Sequence, residues 1–145
     1  MKYLVILLTT FILTACSSTS KYPHYSVTDA AQTLTKNKNG LRSTLNFKVA
    51  SVAHLPTHKK WYLNALENYK KPENISIVIS SSLASKLNNH LNIESLNELT
   101  HKNIEVSGIV KRTKIYFHEK GLNTGKFYYQ NHLNLSDIEH ISLVD

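Results

Sequence analysis

Apolar and polar residues alternate from Ile104 to Ser107, and the same period of two runs on through Gly108 to Ile109. Ile104, Val106 and Gly108 share one face, and Glu105, Ser107 and Ile109 share the other. A period of two belongs to a half-buried strand. The glycine in it marks a bulge, a sharp bend or a close backbone approach, which a small barrel needs where a strand turns a corner. The same alternation runs from Leu45 to Val52, with Leu45, Phe47, Val49 and Ser51 on one side. It recurs at Ile75, Ile77 and Ile79, against Ser76, Val78 and Ser80. Trp61-Tyr62-Leu63 reads as a shorter strand between these two. Loops at His54–His58 and Asn68–Asn74 flank it, and each contains a proline, which does not continue a central strand.

Helical spacing appears twice. Val27, Ala30, Ala31 and Leu34 fall at i, i+3, i+4 and i+7, which predicts a short helix capped by Ser26 or Thr28, with Asp29 in its first turn. Leu83, Leu87 and Leu91 predict a second helix, capped by Ser81 or Ser82. Leu96–Leu99 forms a turn of helix before the polar bend that leads into Ile104. Lys114–His118 and Lys126–His132 read as the arms of a hairpin, with Glu119–Gly125 as its turn. Asp137 opens the last element, in which Ile138, His140 and Ser142 alternate with Glu139, Ile141 and Leu143, a final strand. No repeat of fixed period is present.

The order strand, strand, strand, helix, strand, strand covers about Leu45 to Val144. It resembles the OB-fold, a five-stranded Greek-key barrel with a helix between its third and fourth strands. The phrase Leu99-Thr100-His101-Lys102-Asn103-Ile104-Glu105-Val106-Ser107-Gly108 is similar to the "leucine, glycine-lysine, apolar, apolar, glycine" wording of many OB proteins. His101 stands where a turn glycine is usual. The expected class is mainly β: an OB-like barrel with one or two short helices, formed by residues 26–145 as a single domain with a short N-terminal helix. An open α+β sheet is the alternative.

The amino terminus changes the picture. Lys2 precedes an apolar run of about eleven residues, the length of a signal-peptide core and too short to span a bilayer. Leu13-Thr14-Ala15-Cys16 resembles the lipobox of bacterial lipoproteins. That resemblance implies removal of residues 1–15, lipidation of the Cys16 thiol and acylation of the new amino terminus. Cys16 is the only cysteine in the chain, so it has no disulfide partner. Several acyl chains together hold a protein firmly to a membrane, where one binds it marginally. In enteric-type sorting, serine after the cysteine implies the outer membrane, with the domain facing the periplasm or the cell surface. Residues 16–25, polar and containing Pro23, then read as a tether.

Without the leader, 16 basic side chains face 10 acidic ones, a formal charge of +6, since Lys2 accounts for one of the 17 in the whole chain. All the bases but Arg42 and Arg112 are lysines, spread evenly, a pattern more typical of a solvated face than of a nucleic-acid groove. The partners that this charge suits are anionic: lipid head groups, an anionic polymer or another envelope protein. Stray nucleic acid has no support beyond the charge.

OB-folds bind oligonucleotides or oligosaccharides across their second and third strands, with help from two loops. Aromatic stacking platforms beside basic groups are the usual means of holding single strands. The candidate ligand-binding residues are therefore Trp61, Tyr62 and Tyr69 near the second strand, and Lys111, Arg112, Lys114, Tyr116, Lys126 and Tyr128 on the hairpin. The competing reading places Trp61, Phe117 and Phe127 in the core and leaves the tyrosines as amphipathic strand residues. His118 and His132 share a face of the two arms and would oppose each other if the arms paired in register, a bare pair without a third metal ligand.

Nothing calls for a cofactor or a catalytic residue. The acids stand singly, except that Asp137 and Glu139 share a face in the expected last strand, and the two arginines make a poor phosphate clamp for a nuclease. There is no Gly-x-Ser-x-Gly elbow and no glycine-rich phosphate loop among four glycines. The sequence thus predicts a non-catalytic envelope lipoprotein that binds a polyanion or an oligosaccharide, with an accessory subunit of an envelope complex as the alternative.

Overall fold

The structure, a computed structural model, describes residues 22–37 and 39–145. The expected signal peptide (1–15) and the lipidation site Cys16 lie outside the described residues. The strands are β1 (His24–Tyr25), β2 (Leu41–Lys48), β3 (Ser51–Leu55), β4 (Lys60–Asn64), β5 (Ile75–Ser80), β6 (Asn103–Glu119), β7 (Leu122–Asn134) and β8 (Ile141–Val144). The helices are α1 (Val27–Lys36) and α2 (Ser81–Leu91), with 3-10 turns at Pro56–His58, Leu96–Leu99 and Ile138–His140.

Both helices begin where a serine can satisfy a free backbone donor. Ser26 Oγ accepts from the Asp29 amide at 3.0 Å and donates to the Asp29 carboxylate at 2.7 Å. Ala30, Ala31 and Leu34 are the buried face of α1, as their spacing predicted. The cap of α2 is Ser80, not Ser81 or Ser82: its Oγ accepts from the Leu83 amide at 3.2 Å. In the turn at Leu96–Leu99, Ser95 and Glu98 form a reciprocal capping box.

The strands form one mixed sheet in the order β1-β2-β6-β7-β5-β4-β3, with β8 on the start of β6. β5 and β7 are parallel; β2–β6, β6–β7, β5–β4 and β4–β3 are antiparallel. No ladder closes the sheet, but β2 and β3, near opposite ends of the path, are consecutive in the chain with only Val49 and Ala50 between them. There the strand changes partner: Val49 N–H donates to Lys102 O at 2.9 Å, and Ala50 N–H to Asn64 O at 2.9 Å. The fold is mainly β with the OB order of strands, β2 and β3 together serving as the bent first strand and α2 standing between β5 and β6.

Several boundaries differ from the sequence expectation. The first strand starts at Leu41 and splits in two because Val49, fully buried, marks the corner at which its pairing switches. Tyr22–Tyr25, expected to belong to the tether, lies against the sheet: His24 and Tyr25 pair in parallel with Thr44 and Leu45, and Thr44 N–H donates to Pro23 O at 2.8 Å. The hairpin turn is two residues, Lys120-Gly121, with φ of 49° and 79°, the pair of positive values that a tight hairpin requires. The glycine at 125, read as part of that turn, instead sits where the register shifts within β7. Asp137 caps a 3-10 turn, accepting from the Glu139 amide at 3.1 Å. Only Ile141–Val144 is strand, so Asp137 and Glu139 do not share a strand face.

The core is aliphatic. Leu45, Leu63, Ile75, Ile77, Ile79, Ile104, Val106 and Leu133 line its strand side, closed by Leu34, Leu87, Leu96 and Leu99. The pleat that sends these residues inward sends their neighbours outward on β4, β5 and β7, and those neighbours build the site described next.

Candidate ligand-binding cleft

On β4 the outward residues are Tyr62 and Asn64, on β5 Ser76, and on β7 Tyr128, Gln130 and His132. They form the floor and one wall of a cleft of about 500 Å³. Ala53, His54 and Leu55 from β3 and His58 from the 3-10 turn make the second wall; Tyr69 and Ile115 complete the rim. The cleft therefore lies over the strands and between the loops where OB-folds take ligands. Its volume falls within the range of small-molecule sites.

Two hydrogen-bond chains organise the floor. Along β7, Gln130 Nε2 donates to Tyr128 Oη at 3.1 Å, which leaves Gln130 Oε1 to accept from His132 Nε2 at 2.8 Å. That direction puts the imidazole proton on Nε2 and a lone pair on Nδ1. It also frees the Tyr128 hydroxyl proton to point elsewhere. Across β4 and β5, Ser76 Oγ donates to Asn64 Oδ1 at 2.7 Å and accepts from Asn74 Nδ2 at 3.0 Å; Asn64 Nδ2 donates to Ser51 Oγ at 3.2 Å. Buried polar groups held in this way are oriented, not merely tolerated.

The loop carrying Tyr69 is fastened by the same amides. Asn74 Nδ2 reaches Tyr69 O at 3.3 Å, and Asn74 Oδ1 accepts from Leu66 N–H at 2.9 Å. From β7, Asn131 Nδ2 donates to Pro72 O at 2.8 Å and Asn74 O at 3.1 Å.

The cleft carries little charge. No Asp, Glu, Lys or Arg lines it. Burial, then the nearby Lys60 ammonium, pushes the pKa of His132 down to about 4, so the imidazole is neutral at pH 7. Burial raises the phenol of Tyr62; burial and then the neighbouring Tyr69 raise that of Tyr128. Both hydroxyls stay protonated donors at neutral pH.

Of the candidate residues, Tyr62, Tyr69 and Tyr128 meet in this cleft. Trp61 does not: it packs against the core, and its indole stacks on His54 with centroids 4.1 Å apart and planes 11° apart. Arg112, Lys114 and Tyr116 face the other side of the hairpin. There Arg112 sits over the Tyr129 ring at 4.1 Å and Lys114 over the Phe127 ring at 4.2 Å. Lys111 pairs with His132 across the strands, and Lys126 lies on the exposed outer hairpin. Phe117 and Phe127, read as core in the competing view, are exposed at 46% and 44%. The arms' register sets His118 opposite Asn123 and His132 opposite Lys111, so the two histidines do not face each other. Among the described residues no three His, Cys, Asp or Glu side chains converge as a metal site would need.

The sequence reading missed His54, His58, Asn64, Ser76, Gln130 and His132 as cleft residues. The signal available was parity. Tyr128, Gln130 and His132 stand two apart on one strand, and Asn64 and Ser76 are the polar partners of buried Leu63 and Ile77.

No family model matches the chain, and no curated protein does. Among solved structures, an aspartyl-tRNA synthetase from Entamoeba histolytica matches with a TM-score of 0.47 and 8% identity, over 94% of this chain and 24% of that one. A putative aspartyl-tRNA synthetase from Leishmania major Friedlin matches with a TM-score of 0.49 and 8% identity, over 88% and 22%. The chain spans about a quarter of the length of these structures.

Proposed function

We propose that this chain is a non-catalytic, lipid-anchored envelope protein of the bacterial outer membrane, held at Cys16, whose domain binds a neutral oligosaccharide in the cleft. The observation that carries this reading is the cleft's lining: three tyrosines, three histidines and oriented amides, with no charged side chain among them. Sugars present hydroxyls to such donors and acceptors and lay their C–H faces on aromatic rings. A polyanion would need cations within the cleft; Arg112 and Lys114 are turned to the far side of the hairpin, and Lys60 and Lys111, which stand on the cleft's face of the sheet, are not among its lining residues.

The sole tryptophan gives a direct test, because Trp61 stacks on His54 of the cleft wall. Titration with neutral β-linked hexose and N-acetylhexosamine oligomers is expected to change its fluorescence saturably, with little dependence on salt. Tyr62→Ala and Tyr128→Phe are each expected to weaken the response about tenfold, the worth of one contact of roughly 1.4 kcal/mol. A response confined to heparin or a short single-stranded DNA, falling steeply with salt, overturns the neutral-ligand reading. The anchor is tested separately: labelled palmitate incorporated by cells expressing the full chain should be lost in Cys16→Ser.

A further inference from the structure

Beyond the cleft, we propose that the outer half of the β6–β7 hairpin is a membrane-docking element that seats its tip in an anionic lipid surface. From Tyr116 to Phe127 every residue is exposed, and Leu122 beside the turn is the most exposed large apolar side chain among the described residues, at 74%. Phe117, Phe127 and Tyr116 follow it along the arms at 46%, 44% and 42%. The segment 111–131 holds five bases (Lys111, Arg112, Lys114, Lys120, Lys126) and one acid (Glu119), a net of +4. Apolar and aromatic bodies with basic heads around them suit the boundary between acyl chains and anionic head groups.

The ring contacts decide against the other polyanion, a single-stranded nucleic acid. Bases need open aromatic faces to stack upon. Here Arg112 already covers Tyr129 and Lys114 covers Phe127, while Tyr116 and Tyr129 meet Phe127 edge to face with centroids 5.9 Å and 5.6 Å apart. A lipid surface asks for no free ring face.

Chain direction gives a second argument, which rests on the lipid anchor proposed above. β1 runs parallel to β2, and β2 antiparallel to β6, so the polypeptide reaches His24 from the pole toward which the hairpin projects. Tyr22, the first described residue, stands six positions after Cys16. The described chain thus begins on the side of the hairpin tip, which suits the anchor proposed above, while α2 lies at the opposite pole, where the chain enters β6.

The test uses the full chain with Cys16→Ser, which carries no acyl group, and a single new cysteine, Leu122→Cys, bearing an environment-sensitive fluorophore. Vesicles of phosphatidylcholine with an equal part of phosphatidylglycerol are expected to blue-shift the emission and shield it from aqueous iodide. Pure phosphatidylcholine is expected to do neither. The same label at Lys86→Cys on α2 should stay unshifted, which separates docking of the tip from adsorption through the leader. Replacing Lys114, Lys120 and Lys126 by Gln should raise the lipid needed about a hundredfold, at roughly fivefold per cation. The proposal is overturned by an unshifted tip, by equal shifts at Leu122→Cys and Lys86→Cys, by equal shifts on neutral vesicles, or by a response to single-stranded DNA alone.

Discussion

Leu133 fills the space that a side chain on residue 108 would need. A β-carbon built on Gly108 stands 3.0 Å from Leu133 Cδ2 and 3.1 Å from its Cγ. Leu133 is wholly buried, and β6 passes Gly108 in unbroken register with Ser43 on β2. The glycine therefore serves a close approach and not a bulge. Gly108→Val is expected to destabilise the domain by about 3 kcal/mol through overpacking. Leu133→Ala alone should cost about 3 kcal/mol as a cavity. The double variant should cost clearly less than the sum, since each change relieves the other. Urea unfolding of the four proteins measures the coupling; simple additivity would refute the contact as the reason for the glycine.

His101 is a left-handed residue, with φ of 66°, and its amide donates to Val49 O at 2.7 Å. It holds the position where the sequence resemblance expected glycine. A non-glycine residue in this region carries a steric penalty of about 1 kcal/mol. The His101 side chain is exposed, so little packing is lost with it. His101→Gly is expected to raise the unfolding free energy by up to about 1 kcal/mol while His101→Ala leaves it nearly unchanged. A gain in both variants would place the effect in the imidazole instead of the backbone.

His132 makes stability depend on pH in a stated direction. Its pKa is about 4 in the folded chain, lowered by burial and then by Lys60, against an ordinary value of 6.5. The unfolded chain takes up the proton first as pH falls. The stabilisation is thus fully present above pH 6.5 and is lost as pH drops toward 4, at no more than about 1.4 kcal/mol per pH unit for one proton. Guanidinium midpoints should fall through that window, and His132→Gln should flatten the fall. An unaltered slope in the variant would assign the acid sensitivity to other groups.

The core-facing sides of the strands were legible because alternation records them: Ile75, Ile77 and Ile79 are wholly buried, as are Ile104 and Val106, although β5 is buried on both sides, with Ser76 at 1% and Val78 at 4%. Both helix starts were legible to within a residue or two, because a serine cap is a local interaction. The corner at Val49–Ala50 was not, since a change of strand partner is a long-range event that leaves the alternation almost intact. The cleft was half legible. Its tyrosines stood out by type, while Gln130 and His132 look like any solvent-facing strand residues until β5 covers the side of β7. That Arg112 and Lys114 stand away from the cleft was hidden for the converse reason. Composition counts cations near aromatics but does not say on which side of a ribbon they lie, and residues 112 and 114 alternate with 113 and 115.

Asn131 ties the cleft to the fold. It points opposite to Gln130 and His132, is 4% exposed, and gives its two amide protons to Pro72 O and Asn74 O on the loop that carries Tyr69. Asn131→Ala leaves two carbonyls on this loop without donors, a cost of about 1–3 kcal/mol, and unfastens the Tyr69 wall. Asn131→Asp is expected to be worse at neutral pH, because a carboxylate would face the same two oxygens with no proton to give. It should recover part of its loss as the acid protonates. If Tyr69 matters to the ligand, both variants should lower oligosaccharide affinity at temperatures well below their unfolding transitions, with Trp61 fluorescence as the readout. Ligand affinity equal to that of the parent chain, in a variant shown by urea unfolding to be weakened, would mean that the loop contributes to the fold and not to the site.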